Sequence, residues 1–300
     1  MVRESPVTRL GIGLLWLLSR LAPPVRRRAC EVLAIVFMRI ARERRQVARV
    51  NLRLCFPALT HAEREALLRR HFRALGRALA LACATWFRTA DEVRAAVRVE
   101  GLEHLLAVQG RPRILFAPHF VSLDPAAIRL SMEHDAVAIY STQKQPAFDR
   151  FLLSRRTRFR AIRMVPREAG IKPVLRALRE GLPLFFQPDL DFGPRDSVFA
   201  SYFGVAAATT TALARLARIS GAAVLPVIAE QTADGMQCIV RIHPPLVDFP
   251  SHNPEGPEAD ARRMNALIEE SVRRIPDQYW WLHKRFKTRP AGEPSVYEGS

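Results

Sequence analysis

From about residue 97 onward, short apolar runs containing β-forming residues alternate with stretches of helical periodicity. The runs predict strands at residues 114–117, 136–140, 162–165, 184–186, 224–228 and 238–242. The periodic stretches predict helices at residues 126–132, 148–158, 172–180, 210–219 and 259–275. Strands that alternate with helices form a largely parallel sheet with helices on both faces. The alternation therefore predicts one α/β domain.

The chain before this domain reads as helical throughout, to about residue 95. Ser5 followed by Pro6 fits the first positions of a helix. Thr60 followed by Glu63 has the spacing of a capping box, which marks a second helix start.

Two apolar runs in this helical part, residues 10–18 and 29–38, are each shorter than the roughly 20 residues that a membrane-spanning helix needs. No small-residue cleavage site follows them, so neither is read as a secretory signal. The runs contain Trp16 and are bordered by arginines, namely Arg20, Arg26, Arg27, Arg28, Arg39, Arg42, Arg44 and Arg45. This combination is typical of a helical hairpin in an anionic membrane interface.

Two alternatives remain for the same runs: helices packed on the domain beneath a solvated basic rim, or a single membrane span. We expect residues 1–45 to form a helical membrane-anchoring segment and residues 46–300 to form the α/β domain.

The charge of the chain favours an anionic partner. Lys and Arg number 46 against 29 Asp and Glu, which gives a net charge of +17. Nucleic acid, an acidic protein and a phospholipid surface all fit such a charge. Most of the excess is arginine, whose planar fork suits phosphate and carboxylate groups.

The four cysteines, Cys30, Cys55, Cys83 and Cys238, are far apart, with no Cys-x-x-Cys pair. They are typical of core residues in a reducing compartment rather than a disulfide framework. The cysteines and histidines show no zinc-ligand spacing. Asp189 and Asp191 have ligand types that suit Mg²⁺, but nothing else in the sequence suggests a nucleotide, so neither a metal nor a cofactor is predicted.

The most informative stretch is Ile-Leu-Phe-Ala-Pro-His-Phe-Val-Ser-Leu-Asp-Pro at residues 114–125. A strand is predicted to end at Pro118 and a helix to begin at Pro125, with Asp124 as its N-cap. On one continuous helix His119 and Asp124 would lie about 140° apart, so they meet only if a bent loop carries the histidine to the helix start. Such a loop lies at the carboxyl end of a parallel strand, where α/β proteins place their sites.

A histidine that is hydrogen-bonded to a carboxylate can act as the general base that activates a nucleophile. No Gly-x-Ser-x-Gly motif or reactive cysteine stands nearby, so direct transfer to an external hydroxyl is more natural than a covalent acyl-enzyme. From the spacing alone an alternative stays open, in which Asp124 only caps a helix and His119 is a loop residue.

The motif resembles the H-x4-D/E signature shared by glycerolipid acyltransferases and the late acyltransferases of lipid A biosynthesis. Further blocks, in the same order, are similar to the second group: Asn-Leu-Arg-Leu-Cys-Phe-Pro at 51–57, Gln-Pro-Asp-Leu-Asp-Phe-Gly-Pro at 187–194, the Thr-rich helix at 208–221 and Trp-Leu-His-Lys-Arg-Phe-Lys-Thr-Arg-Pro at 281–290. The resemblance covers residues 45 to 290, and the chain looks like a lauroyl- or myristoyl-type member of this family. The lauroyl enzymes usually carry Glu where this chain has Asp124.

The resemblance implies a glycerolipid-acyltransferase-like fold and the transfer of a lauroyl or similar chain from acyl carrier protein to a Kdo-bearing lipid A precursor. It places the reaction at the cytoplasmic face of the bacterial inner membrane, on anionic lipids, with no nucleic-acid partner. His119 would take the proton of a 3-hydroxyacyl hydroxyl, and Asp124 would fix the histidine tautomer.

Three further residues are predicted to bind substrate. Arg167 stands where the family has a motif arginine and is interpreted as a ligand of phosphate or sugar acid, the alternative being an ion pair with Glu168. Asp189 and Asp191 would face one side of an extended segment and bind the acceptor or order the site. The alternative for these two is a turn before Gly193.

Two other functions compete with this interpretation. A glycerolipid or lysophospholipid acyltransferase would share His119 and Asp124, but Pro-Asp-Leu-Asp at 188–191 replaces the Glu-Gly-Thr-Arg-like block expected there. A basic nucleic-acid-binding protein would explain the charge, but the sequence shows no helix-turn-helix, zinc-finger or RNP-like pattern. The tail at residues 279–287 mixes aromatics with cations, which suits either a membrane interface or a cluster packed on the core.

Overall fold

The computed structural model describes residues 6–251 and 256–298, so the predicted cap at Ser5 lies outside the described residues. The strands are β1 (Val97–Glu100), β2 (Arg113–Phe116), β3 (Ala136–Tyr140), β4 (Ile162–Pro166), β5 (Leu184–Phe186), β6 (Ser197–Tyr202), β7 (Val205–Thr210), β8 (Ala223–Gln231) and β9 (Cys238–Ile242). Seven of them form one sheet in the order β1-β9-β8-β2-β5-β3-β4. All neighbouring pairs are parallel except β8 and β9.

The predicted, largely parallel sheet is therefore confirmed, and every predicted strand is present. The sequence missed β1 and the antiparallel hairpin of β6 and β7. β1 is a short edge strand with alternating charge, Val-Arg-Val-Glu. The hairpin is built mostly from Ser, Ala and Thr, which produce no apolar run.

The helices are α1 (Pro6–Arg20), α2 (Pro23–Ile40), α3 (Arg42–Cys55), α4 (His61–Phe87), α5 (Ala90–Ala96), α6 (Leu102–Ala107), α7 (Leu123–Leu130), α8 (Pro146–Arg156), α9 (Lys172–Arg179), α10 (Ala212–Ser220) and α11 (Gly256–Arg274). One face of the sheet carries Ile114 and Phe116 and packs against α3, α4, α9, α10 and α11. The other face carries Leu115 and Ala117 and packs against α4, α6 and α7. The alternation along β2 thus matches a sheet that is covered on both sides.

The amino-terminal part is helical as predicted, and α4 begins with the predicted capping box of Thr60 and Glu63. The inner side of α1 and α2 packs on α4 through Leu18, Cys30 and Cys83. Contact between α2 and α4 is close at Gly76, where a Cβ atom would lie 2.6 Å from the Cα of Glu31.

The opposite side of α1 and α2 is apolar and exposed. Its large side chains recur at helical spacing, and they are Val7, Leu10, Leu14, Leu17, Val25, Val32, Leu33, Val36, Phe37 and Ile40. The two helices therefore pack on the domain with one face and leave an apolar face unpacked.

None of the helices within the described residues is both long enough and apolar enough to cross a membrane.

The site is positioned by the pairing of β2 with β5. These strands are adjacent and parallel, with Ile114 opposite Leu184 and Phe116 opposite Phe186. Their carboxyl ends therefore lie side by side, and the loops that follow them meet. His119 lies in the first of these loops and Asp189 in the second.

Candidate active site

Three hydrogen bonds converge on the carboxylate of Asp189. Nδ1 of His119 lies 2.6 Å from Oδ1, and the backbone N–H of His119 donates to Oδ2 at 2.8 Å. The Tyr279 hydroxyl donates to Oδ2 at 3.1 Å. The Asp189 side chain is fully buried, whereas the His119 ring is partly exposed.

These contacts define the protonation of the pair. Burial favours the neutral form of Asp189, but the neighbouring His119 and its hydrogen bonds outweigh burial and hold the pKa of the carboxyl below its usual range. An ionised carboxylate at Nδ1 keeps the proton of the neutral ring on that nitrogen. Nε2 of His119 is then the nitrogen free to accept a proton, as in a triad whose acid orients the base.

Asp124 was predicted to hold this histidine and to cap the next helix, and the structure shows neither contact. Helix α7 begins two residues earlier than predicted, at Leu123, with Ser122 as its N-cap. The Asp124 carboxylate accepts hydrogen bonds from Nε1 of Trp86 at 2.9 Å and from Nε of Arg156 at 2.7 Å. Because β2 and β5 are neighbours, Asp189 occupies the position at Nδ1 that the sequence assigned to Asp124.

A cavity of about 870 Å³ opens beside His119, and Asp124, Arg156 and Arg167 also line it. One part of the cavity is apolar and lies between α7 and the sheet. Its wall includes a row of side chains that are in register across four adjacent strands, namely Leu115, Phe185, Ala138 and Met164. Ala127 and Leu130 of α7 cover this row.

A second part of the cavity is cationic and lies toward the loop after β5 and helix α10. Arg167, Arg195 and Arg215 line it. The guanidinium of Arg167 lies over the Phe192 ring, 4.6 Å from its centroid. Among the described residues Arg167 makes no ion pair with Glu168, the alternative role that the sequence left open for it.

Asp191 ties the loop after β5 to the carboxyl-terminal tail. Its carboxylate accepts hydrogen bonds from the backbone of Gly193 at 2.9 Å and from the backbone and hydroxyl of Thr288 at 2.7 and 2.9 Å. Its own N–H donates to Nε2 of His283 at 3.0 Å. Burial lowers the pKa of His283 to about 4, so this ring is a neutral acceptor. The contacts of Asp191 fit the site-ordering interpretation.

The carboxyl-terminal tail, residues 278–288, also contributes to the site. The sequence indicated no catalytic or site-ordering role for this tail. Its backbone pairs with the His119 loop, since Trp280 N–H donates to His119 O at 2.9 Å and Val121 N–H donates to Gln278 O at 2.8 Å. Asn51 in α3 then fastens the tail by donating to the carbonyls of Trp281 and His283, both at 2.8 Å.

The signal for these residues was present as two blocks of family resemblance, at residues 51–57 and 281–290. Asn51 and Trp281 are 230 residues apart in the chain, so the sequence did not indicate that the two blocks are in contact. Arg156, the ion-pair partner of Asp124, was given no role from the sequence.

Within the described residues no group of three or more His, Cys, Asp or Glu side chains is arranged to hold a metal ion.

Comparison with known proteins adds the family to this geometry. The family model described as bacterial lipid A biosynthesis acyltransferase matches residues 3–288. The chain is 34% identical to the lipid A biosynthesis lauroyltransferase of Escherichia coli K12 and 33% identical to the palmitoleoyltransferase of the same strain. Each match covers 97% of this chain and 94% of the relative.

The myristoyltransferase of the same strain is 32% identical over 87% of this chain and 80% of its own length. Among solved structures, the 1-acyl-sn-glycerophosphate acyltransferase PlsC from Thermotoga maritima aligns with a TM-score of 0.40 and 17% identity, covering 84% of this chain and 97% of that one. The family match and the near full-length relatives establish that this chain is an acyltransferase and belongs to the bacterial lipid A biosynthesis acyltransferase family.

Proposed function

We propose that this enzyme transfers a fatty acyl chain, lauroyl or of similar length, from acyl carrier protein to the hydroxyl of a 3-hydroxyacyl chain on a Kdo-bearing lipid A precursor. The observation that carries the proposal is the pairing of His119 with the buried Asp189 at the edge of a cavity with an apolar part. Relatives named for lauroyl, palmitoleoyl and myristoyl transfer support the donor class.

His119 acts as the general base. Its Nε2 removes the proton of the acceptor hydroxyl while that oxygen attacks the thioester carbonyl, and the negative charge of Asp189 stabilises the imidazolium that forms. The tetrahedral intermediate collapses with formation of the ester C–O bond and cleavage of the C–S bond. The proton then passes from Nε2 to the departing sulfur, so the products are the ester and the thiol of the carrier. General-base assistance of this kind contributes roughly 10² to 10⁴ in rate.

Asp124 remains a site residue in this proposal, but it acts through Arg156. It binds only Nε of the guanidinium, and the terminal nitrogens of Arg156 have no hydrogen-bond partner among the described residues. A fixed cation in a partly desolvated cavity stabilises the oxyanion that develops on the thioester carbonyl. Asp124 keeps that cation in place and offsets its charge in the resting enzyme.

The two parts of the cavity suit the two substrates. The apolar row beneath α7 accommodates a hydrocarbon chain, and Arg167 offers a planar fork to a phosphate or sugar-acid group of the acceptor. In this assignment Asp189 serves as the partner of the base and Asp191 as the anchor of the loop, so neither binds the acceptor directly.

The exposed apolar side of α1 and α2 suits attachment to an anionic bilayer at the cytoplasmic face of the inner membrane. Exposed arginines of these helices, among them Arg20, Arg28 and Arg39, suit pairing with lipid phosphates at such a surface. Such an attachment brings the cavity to a membrane-embedded acceptor while the carrier protein arrives from the cytosol.

The test uses purified, folded variants with acyl-carrier-protein thioester and a Kdo-lipid A precursor. We expect His119→Ala and Asp189→Asn to lose about 10³-fold or more of kcat, because Asn at Nδ1 lacks the charge and favours the wrong tautomer. Asp124→Asn should lose less, because it leaves the partner of Nδ1 unchanged.

Circular dichroism and melting temperatures control for folding. Wild-type activity in Asp189→Asn together with an inactive Asp124→Asn would return the orienting role to Asp124. If the enzyme acylates lysophosphatidic acid and not the Kdo-lipid, the proposed acceptor is wrong and the protein is a glycerolipid acyltransferase. Mass spectrometry of lipid A from cells with and without the protein gives the length of the added chain.

A further inference from the structure

We propose that Tyr279 is a positioning residue for acyl transfer, whose hydroxyl holds the Asp189 carboxylate against His119 and limits how strongly that carboxylate binds the imidazolium. The inference rests on the proposed role of His119 as the base. It concerns a residue of the tail, which the sequence left as an aromatic cluster of undecided function.

The contacts of Asp189 show why this hydroxyl matters. Oδ1 faces the ring nitrogen of His119, and Oδ2 is held by the His119 backbone N–H and the Tyr279 hydroxyl. A carboxylate has two equivalent oxygens and can rotate, so the two donors on Oδ2 fix which oxygen meets the ring. A donor on Oδ2 also withdraws charge from Oδ1, which weakens the attraction of the carboxylate for a protonated ring.

Tyr279 is itself placed rigidly. Its backbone forms an antiparallel bridge with Phe120, the residue after the catalytic histidine. Its ring packs edge-on against Phe120 and Trp281, with centroid distances of 5.7 and 5.0 Å. Burial, followed by the negative charge of Asp189, raises the pKa of Tyr279 well above its usual value. The hydroxyl therefore keeps its proton and remains a hydrogen-bond donor at every working pH. It does not transfer that proton in the reaction.

Other charged or titratable groups surround the pair without bonding to Asp189. They are Asp191 on the same loop, Tyr202 on β6, and His283 and Arg285 on the tail. Among the described residues only His119 and Tyr279 donate hydrogen bonds to the Asp189 carboxylate. Tyr279 also lies outside the lining of the cavity, whereas its neighbour Trp280 is part of it. Its effect should therefore appear in the chemistry and not in substrate binding.

The experiment is the pH profile of kcat/KM for full-length Tyr279→Phe, which keeps the ring and removes only the hydroxyl. We expect kcat at the optimum to fall roughly tenfold, the effect of one lost hydrogen bond to a charged group. The KM values for both substrates should stay within about twofold. The acid limb should move to higher pH by about half a unit, because the carboxylate then stabilises the imidazolium more strongly.

Tyr202→Phe is the matched control. It removes a fully buried hydroxyl from the same aromatic cluster, on a ring whose centroid lies 6.2 Å from that of Tyr279, and this hydroxyl donates no hydrogen bond to Asp189. Its acid limb should match that of the wild type.

An acid limb in Tyr279→Phe that equals the wild type, or equal limbs in both tyrosine variants, overturns the inference. A loss of kcat fully explained by a smaller folded fraction does the same. Full activity of His119→Ala and Asp189→Asn would instead overturn the proposed base, which keeps the two failures distinguishable.

Discussion

Two segments of this chain look alike in sequence and are used in opposite ways. The hairpin of α1 and α2 and the tail at residues 278–288 both combine tryptophan, leucine and arginine. In the hairpin Leu10 and Ile40 are 78% and 74% exposed, whereas in the tail Trp281 and Phe286 are 1% and 0% exposed. Composition alone therefore does not separate an exposed apolar surface from a segment buried in the core.

The difference lies in the partners that the rest of the fold offers. The buried Arg285 of the tail donates to Ala208 O at 2.7 Å and to Thr209 Oγ1 at 3.0 Å. Asn51 binds two tail carbonyls, so the terminal nitrogens of the cation and these two carbonyls have partners inside the protein. The hairpin packs mainly on α4, with further contacts to α3 and α8, and the apolar side chains on its outer side, such as Leu10 and Ile40, stay exposed.

The largest expected effect comes from removing the tail's main apolar anchor. Trp281→Ala should lower the free energy of unfolding by about 3–5 kcal/mol, because it leaves a cavity in the main core. Trp16→Ala in the hairpin, where the ring is half exposed, should change it by less than about 0.5 kcal/mol. Urea unfolding followed by circular dichroism measures both. Equal losses would mean that the hairpin is as much a part of the core as the tail.

Much of the fold could be read from the sequence, because apolar runs bounded by turn residues mark buried strands. Strands β3, β5 and β9 were predicted with their observed ends, and His119 was placed correctly in the loop after β2. The partner of His119 was not predictable, because nothing in the sequence states that β2 pairs with β5. The same limit hid the contact between Asn51 and the tail, which depends on elements far apart in the chain.

A second prediction separates the two segments by pH. Burial lowers the pKa of His283 in the tail and of His71 in α4 to about 4, whereas the hairpin contains no histidine. Below about pH 6.5 these histidines are protonated in the unfolded chain but remain neutral in the folded protein. Stability should therefore fall progressively from pH 6.5 down to about 4, and each histidine contributes on the order of 3 kcal/mol.

Denaturant unfolding at several pH values measures this slope. His283→Gln should make the slope shallower, since Gln does not titrate and still offers an acceptor to Asp191. Deleting residues 1–40 should leave the slope unchanged. A wild-type slope in His283→Gln would show that the ring is protonated in the folded tail.

A third prediction concerns the inner side of the hairpin. Gly76→Ala should destabilise the protein by about 1–3 kcal/mol, because the added Cβ would collide with the backbone of α2 at Cys30 and Glu31. Gly13→Ala in α1 is the matched control, since a Cβ there meets no atom within 4 Å. It should be neutral or stabilise by about 0.5–1 kcal/mol, as expected for alanine in a helix. If the two changes act alike, α2 does not pack closely on α4.

The smallest expected change in stability, and the most direct test of the comparison, is on the outer side of the hairpin. Replacing Leu10, Leu14 and Leu17 together by Gln removes apolar surface that contacts water, so the free energy of unfolding should change by less than about 0.5 kcal/mol per site. Sedimentation with vesicles containing anionic lipid should drop strongly, because each leucine contributes burial to the interface.

Salt separates the two forces, charge and apolar burial, by which we propose that the hairpin attaches to a bilayer. High salt screens the arginines but leaves apolar burial intact, so the wild type should be released only in part and the triple variant almost completely. Complete release of the wild type by salt would mean that charge alone holds the protein on lipid. Unchanged binding of the triple variant would mean that another surface does so. In either case the exposed leucines would lose their proposed role, and the contrast with the buried tail would concern packing alone.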